Sequence, residues 1–204
     1  MKTTKTNEKK MIVATGNMGK LEEIRQILSD VIPNIVSMKE AGLYTDVEET
    51  GSTFVENALL KCRAVAEKTD GYVLSDDSGL VVDALDGEPG IYSSRYLGED
   101  TSYDVKNADI LRRMEGVPEE KRTARFVCAV AVITPDKREI AVEGYMEGII
   151  GHEIKGEHGF GYDPIFFLPE YGKTSAEILP EEKNEISHRG KALRLMLEEL
   201  KGEQ

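Results

Sequence analysis

Apolar and polar positions along the chain follow two periods. Residues 11–15 (MIVAT) form a short apolar run that predicts a strand, and Gly16-Asn17 marks a turn after it. From Gly19 onward, Leu21, Ile24, Ile27 and Leu28 recur at helical spacing. Residues 34–38 read as a second strand. Thr53 and Glu56 make a capping-box pattern ahead of Val55, Leu59, Cys62 and Ala66, which share one helical face. Residues 72–75 predict a strand ending in an acidic turn, Asp76-Asp77-Ser78-Gly79, and residues 80–85 predict another strand. Residues 102–115 read as a helix with Ala108, Leu111 and Met114 on one side.

The second half differs. Residues 124–134 alternate through Phe126, Cys128, Val130 and Val132, a strand with one face buried. Pro135-Asp136-Lys137 is a turn, and residues 139–149 return as the other arm of a hairpin. Residues 158–168 are glycine-rich and then strongly apolar. From about Glu185, Ala192, Leu193, Met196, Leu197 and Leu200 define a final amphipathic helix. Strand–helix units followed by a hairpin predict an α/β fold with a mixed sheet flanked by helices. There is no internal repeat and no long linker. Residues 11–204 therefore read as a single domain, and residues 1–10 as a frayed polar extension.

Composition narrows the function. The 204 residues include 38 acidic and 26 basic side chains, a net charge of −12. Such an excess argues against a nucleic-acid backbone or an anionic membrane surface as partner. It does not settle the case of a small phosphorylated ligand, which depends on local charge. Cys62 and Cys128 fall at apolar-periodic positions without a CxxC, so they read as buried thiols in a reducing compartment. No apolar run approaches the ~20 residues of a membrane span, and no signal-peptide core follows the polar start. The expected location is the cytoplasm.

Four polar clusters carry candidate chemistry. Thr15-Gly16-Asn17-Met18-Gly19-Lys20 follows a strand and opens a helix, where unpaired N–H groups suit phosphate. It is equally an ordinary capped turn. It is not a Walker A loop, because two residues separate its glycines and Leu21 follows the lysine. Asp76-Asp77-Ser78-Gly79 offers carboxylates for Mg²⁺ or for base catalysis, or is a plain acidic turn. Adjacent strand positions point to opposite sides, so at most one of the two aspartates faces any one site. The haloacid-dehalogenase D-x-D-x-T pattern is absent, as is a G-x-S-x-G nucleophile elbow. In GEHGFGYDP, Phe160 and Tyr162 present flat faces for a base, or else pack in the core. Lys183, Ser187, His188 and Arg189, taken singly, read as a solvated basic face. Glu48-Glu49-Thr50-Gly51 is a further acidic turn before a helix.

In order, the motifs are TGNMGK, EETGSTFVENALLKCR, LSDDSGL, PGIYSSRY, FGYDPIF and KNEISHRGKAL. This series, from about Met11 to Leu200, closely resembles the inosine/xanthosine triphosphate pyrophosphatase family. The resemblance implies a two-lobed α/β fold with the site in a central cleft, usually as a homodimer. It implies Mg²⁺-dependent conversion of ITP, dITP or XTP to the monophosphate and pyrophosphate. Carried over by motif, Thr15, Gly16, Asn17 and Lys20 would hold phosphates, Asp77 would be the catalytic acid residue, and Glu49 and Asp77 would hold the metal. Ser78, Phe160, Gly161, Tyr162, Asp163, Lys183, His188 and Arg189 would contact substrate. Two rivals remain: the similar Maf-type pyrophosphatases, disfavoured by the FGYD and SHRGKAL pair, and a silent nucleotide-binding module, disfavoured by the presence of both Glu49 and Asp77.

Overall fold

The structure, a computed structural model, describes residues 10–45 and 47–201. Its strands are β1 (Lys10–Val13), β2 (Asn34–Ser37), β3 (Tyr72–Val82), β4 (Thr123–Ile133), β5 (Glu139–Ile150), β6 (Phe166–Leu168) and β7 (Lys173–Thr174). Its α-helices are α1 (Met18–Leu28), α2 (Phe54–Ala66), α3 (Tyr103–Arg113), α4 (Pro180–Ile186) and α5 (His188–Lys201). They build one mixed sheet in the order β2-β1-β3-β4-β5-β6-β7. β1 runs parallel to β2 and β3, and every later pairing is antiparallel. The frayed extension expected before the sheet lies at residues outside those described, apart from Lys10, which opens β1.

Three differences from the sequence reading matter for the site. β3 does not stop at Ser75. It passes straight through Asp76-Asp77-Ser78-Gly79 and stays paired with β4 from Val73↔Ile133 to Val82↔Ala124. The polar residues interrupt the apolar pattern but not the backbone ladder, because each carboxylate finds partners in place of apolar contacts. Second, β4 is buried on both faces rather than one. Cys128, Val130 and Val132 meet α1 and α5, while Ala129 and Ala131 lie under α2. Small side chains on the second face let α2 sit close, and small residues do not register as a periodic apolar stripe. Third, the terminal helix is two helices. Ser187 is extended (φ −67°, ψ 154°) and its hydroxyl accepts from Gly190 N at 3.0 Å, so α5 starts at His188.

Register with β1 explains where the cleft opens. β1 pairs with β3 only up to Val13↔Leu74, with Ala14 N donating to Leu74 O at 2.7 Å. Beyond that point β1 has ended and β3 continues. Residues 76–79 therefore flank a gap in the sheet, filled on one side by the turn into α1. On one face α1 and α5 pack over Leu74, Cys128 and Val130, and α3 with Tyr162 and Phe166 packs over Leu80 and Val82 further along. α2 covers the other face.

Two glycines set close approaches. A Cβ on Gly79 would fall 2.3 Å from Gly90 O, so the segment around residues 90–95 lies directly on β3. A Cβ on Gly144 would fall 2.3 Å from His188 O and 2.6 Å from Ala192 N, so the start of α5 rests on bare β5 backbone. Gly144→Ala must push α5 away and is expected to cost about 1–3 kcal/mol in urea denaturation. Gly16→Ala, with nothing within 4 Å of its Cβ, should stay within about 0.5 kcal/mol of the parent. Equal midpoints for the two variants would contradict the close packing of α5.

Candidate active site

A cleft of about 390 Å³ opens at the gap beside β3. All the residues carried over by motif line it: Thr15, Gly16, Asn17 and Lys20, Glu49, Asp77 and Ser78, Phe160 to Asp163, and Lys183, His188 and Arg189. Segments far apart in the chain thus converge on one volume.

The first wall is the N-terminus of α1. Asn17 caps it, its Oδ1 accepting from Lys20 N at 3.1 Å, and Thr15 Oγ1 accepts from Asn17 N at 3.1 Å. The first N–H groups of the helix point outward without helical acceptors, a suitable seat for an anion. Lys20 Nζ lies 3.2 Å from Asp76 Oδ2.

The floor is β3. Asp76 and Asp77 project from opposite faces, as alternation requires. Only Asp77 lines the cleft. Asp76 is sealed beneath it, where Arg189 Nε and Nη2 donate to its Oδ2 at 3.2 and 3.1 Å. Burial would raise the Asp76 carboxyl, but Lys20, Arg189 and Lys61 together outweigh that and hold it far below the usual carboxylate range. Asp77 moves the other way. Burial raises its carboxyl, Glu49 and Asp76 add to that, and Lys61 and Lys20 only partly offset it. Two neighbouring carboxyls are thereby driven apart. Asp77 Oδ2 is buried without a hydrogen-bond partner.

Two cations that the sequence reading did not single out complete this wall. Lys61, on α2, donates to Glu49 Oε1 at 2.7 Å and to Asp77 Oδ1 at 3.4 Å. Arg95, carried by the segment that packs on Gly79, donates to Glu49 Oε2 at 3.0 Å and to the Glu49 carbonyl at 3.3 Å. Burial acts to raise Glu49, but Lys61, Arg95 and Lys20 bring it below its ordinary value. In sequence Lys61 is one more charge on an amphipathic helix. Its signal was position: it lies one residue before Cys62, beside the buried stripe.

The opposite wall comes from residues 160–163 and the start of α5. Asp163 is not an open ligand: its Oδ2 accepts from Lys183 Nζ at 2.6 Å and from Phe160 N at 2.8 Å, and its Oδ1 from Ser175 at 2.9 Å. It therefore organises its loop and Lys183. Tyr162 is likewise held, its hydroxyl donating to Ser93 O at 2.8 Å and its ring edge-on to Tyr103. Phe160 stays half-exposed, with Lys183 Nζ and the Arg189 guanidinium 5.5 and 5.7 Å from its ring centre. Ser78 Oγ accepts from Arg189 at 3.0 Å.

Lys183, His188 and Arg189 are buried, not a solvated basic face. Glu23, on α1, explains this: it pairs with Arg189 Nη1 and lies 3.5 Å from Lys183 Nζ, so it ties α1 to α4 and α5. His188 stacks on Phe126 with ring centres 4.9 Å apart. Burial first, then Arg189 and Lys183, keep its imidazole well below its ordinary value, so it is neutral at pH 7. Its Nδ1 is buried and unpartnered.

The cleft is therefore not a pool of free positive charge. Lys20, Lys61, Arg95, Lys183 and Arg189 are matched by Glu23, Glu49, Asp76, Asp77 and Asp163. Among the described residues, the features left without a partner here include the α1 N–H groups, Asp77 Oδ2 and His188 Nδ1.

Fold and site together define an α/β protein with a mixed sheet and a cleft in which a carboxylate pair shares the lining with a helix N-terminus. A sequence profile of the Ham1 family matches residues 11–199. The chain belongs to the Ham1 family. It is 49% identical to the dITP/XTP pyrophosphatase of Desulforamulus reducens over 189 residues, covering 93% of this chain and 94% of that one. It is 46% identical to the Bacillus subtilis protein of the same name, covering 91% of this chain and 94% of that one. The solved structure of the Staphylococcus aureus Ham1 protein superposes with a TM-score of 0.85 at 41% identity, covering 96% of this chain and all of that one. The family resemblance carried by the motifs and the mixed α/β fold both hold. No helix among the described residues is long and apolar enough to cross a membrane.

Proposed function

We propose that this chain hydrolyses the non-standard purine nucleoside triphosphates dITP, ITP and XTP to the monophosphate and pyrophosphate. The observation that carries the reading is the convergence, on one cleft, of an anion-binding helix N-terminus, the Glu49–Asp77 pair and a neutral buried histidine. The names of the relatives support it. The substrate is a small nucleotide, with neither nucleic acid nor membrane as partner. On family resemblance, the enzyme works as a homodimer in the cytoplasm.

Mg²⁺ is the cofactor of this reading. Among the described residues no three His, Cys, Asp or Glu side chains cluster as a protein-only metal site. That suits Mg²⁺, which commonly takes one or two carboxylates together with substrate phosphates. Asp77 Oδ2, buried and unpartnered, supports the fit, with Glu49 as the second ligand. When bound, the ion would neutralise charge on the phosphate oxygens.

The chain's own residues would do the rest. The α1 N-terminus, Thr15, Gly16, Asn17 and Lys20 hold the phosphates, with Lys183 and Ser78 along the path. Asp77 orients a water in line with the α-phosphorus and takes its proton as the P–O bond to the β-phosphate breaks. A carboxyl raised by burial is a better base than an ordinary one. Phe160 gives the base a flat face, while Gly161, Tyr162 and Asp163 keep the loop in place. A 6-keto purine presents an acceptor at O6, and neutral His188 and Arg189 can donate to it. Adenine presents an amino donor there, which would leave buried donors opposed. Mismatches of this kind are worth up to about 10⁴-fold.

The test is product analysis with dITP, XTP, dATP and dGTP. Pyrophosphate release with strong preference for dITP and XTP is expected. Orthophosphate release, or equal turnover of all four, would refute the reading.

A further inference from the structure

We propose that Lys61 is the resident counter-ion of the Glu49–Asp77 pair and keeps free divalent cations out of the cleft until a nucleotide brings one in. This rests on the Mg²⁺ reading above and adds an order to it.

The geometry is specific. Lys61 Nζ sits 2.7 Å from Glu49 Oε1 and 3.4 Å from Asp77 Oδ1, between the two carboxylates. Arg95 takes the other Glu49 oxygen at 3.0 Å. Both Glu49 oxygens are therefore committed to fixed cations, and Asp77 Oδ2 has no hydrogen-bond partner among the described residues. The Lys61 side chain is only 17% exposed, so water screens this contact weakly.

A bare divalent ion must then approach a lysine ammonium and an arginine guanidinium already holding its ligands. Like charges at such distances repel strongly where water is scarce. A nucleotide changes the balance. Its phosphates bring negative charge with the metal and give the Lys61 ammonium a new partner, so it can leave Glu49 and Asp77 without becoming unpaired. Metal and nucleotide affinities are thereby coupled, and the coupling is reciprocal.

The experiment titrates Mn²⁺ alone into the wild-type protein and into Lys61→Met, reading free Mn²⁺ by electron paramagnetic resonance. Lys61→Gln, uncharged and polar, takes its place if the Met variant does not fold. The charge-removed variant should bind Mn²⁺ at least tenfold more tightly than wild type, a gain that a merely structural lysine would not produce. Wild type should reach comparable Mn²⁺ affinity only with an α,β-methylene analogue of dITP present. Equal or weaker Mn²⁺ binding by the variant would overturn the proposal. Failure of wild type to hold Mn²⁺ even with the analogue would instead overturn the metal reading itself.

Discussion

Asp77→Asn is expected to lower kcat for dITP by about 10²–10⁴-fold, the range a positioned base supplies. The amide keeps the shape but cannot accept the proton of the attacking water. The fold should survive. Asp77 is held in place by the backbone ladder opposite Ala129, and its ionic partner among the described residues, Lys61, is 3.4 Å away and keeps Glu49. Steady-state kinetics and a thermal melt on the same preparation give the check. A kcat within a few-fold of wild type would remove Asp77 from the chemistry, whereas a collapse of the melt would recast it as structural.

Arg189→Met is expected to be the most destabilising single change in the site, by about 3–5 kcal/mol. Its carboxylate partner Asp76 has a fully buried side chain (0% exposed), and that of Arg189 is 2% exposed. Removing the guanidinium takes from Asp76 its two Arg189 hydrogen bonds, leaves Lys20 at 3.2 Å as its near cation, and takes from Glu23 one of its two cations. For a chain of this length that cost corresponds to a fall of roughly 6–20 °C in Tm. Acid reveals the cause. Asp76 is held below its unfolded value, so its favourable contribution is present above the unfolded pKa and is lost only as pH falls through the lower, folded value. In the variant the orphaned carboxylate is neutralised sooner. The stability gap between the two proteins should therefore narrow as pH falls through about 4. Asp76→Asn combined with Arg189→Met should recover part of the loss, because the penalty lies in the unpaired charge. A gap independent of pH, with no recovery in the double variant, would rule out this explanation.

Much of the fold was legible because its elements obey a single period. α1 follows Leu21, Ile24 and Leu28, and the β4–β5 hairpin follows its alternation and its Pro135-Asp136-Lys137 turn. The middle of β3 was not, since Asp76 and Asp77 break the apolar pattern while the backbone continues. The start of α5 was misplaced because a short extended residue, Ser187, has no signature in a window averaged over helical turns. At the site, the motif residues came through as a set. Lys61, Glu23 and Arg95 did not, because a charge on an amphipathic helix or in a turn looks solvated until the partner across the fold is known. Asp76 is the reverse case. It was visible as half of a pair, but its task, holding Arg189 and Lys20 under the cleft, depends on which face it takes.

That choice of face rests on alignment alone. Asp76 and Asp77 are one residue apart on a strand pinned to β4 over ten successive partners, from Val73 to Val82. A slip of a single position that set Asp77 opposite Val130 would put it in the place of Asp76 beside Arg189 and bring Ser78, which has no carboxyl, into the place beside Lys61. The same two side chains would remain, and the base would be gone. An insertion or deletion of one residue within β3 ahead of Asp76, where no loop can absorb it, is thus more dangerous than most substitutions nearby. The long ladder, which contributes nothing to the reaction, is what keeps the acidic pair in phase with it.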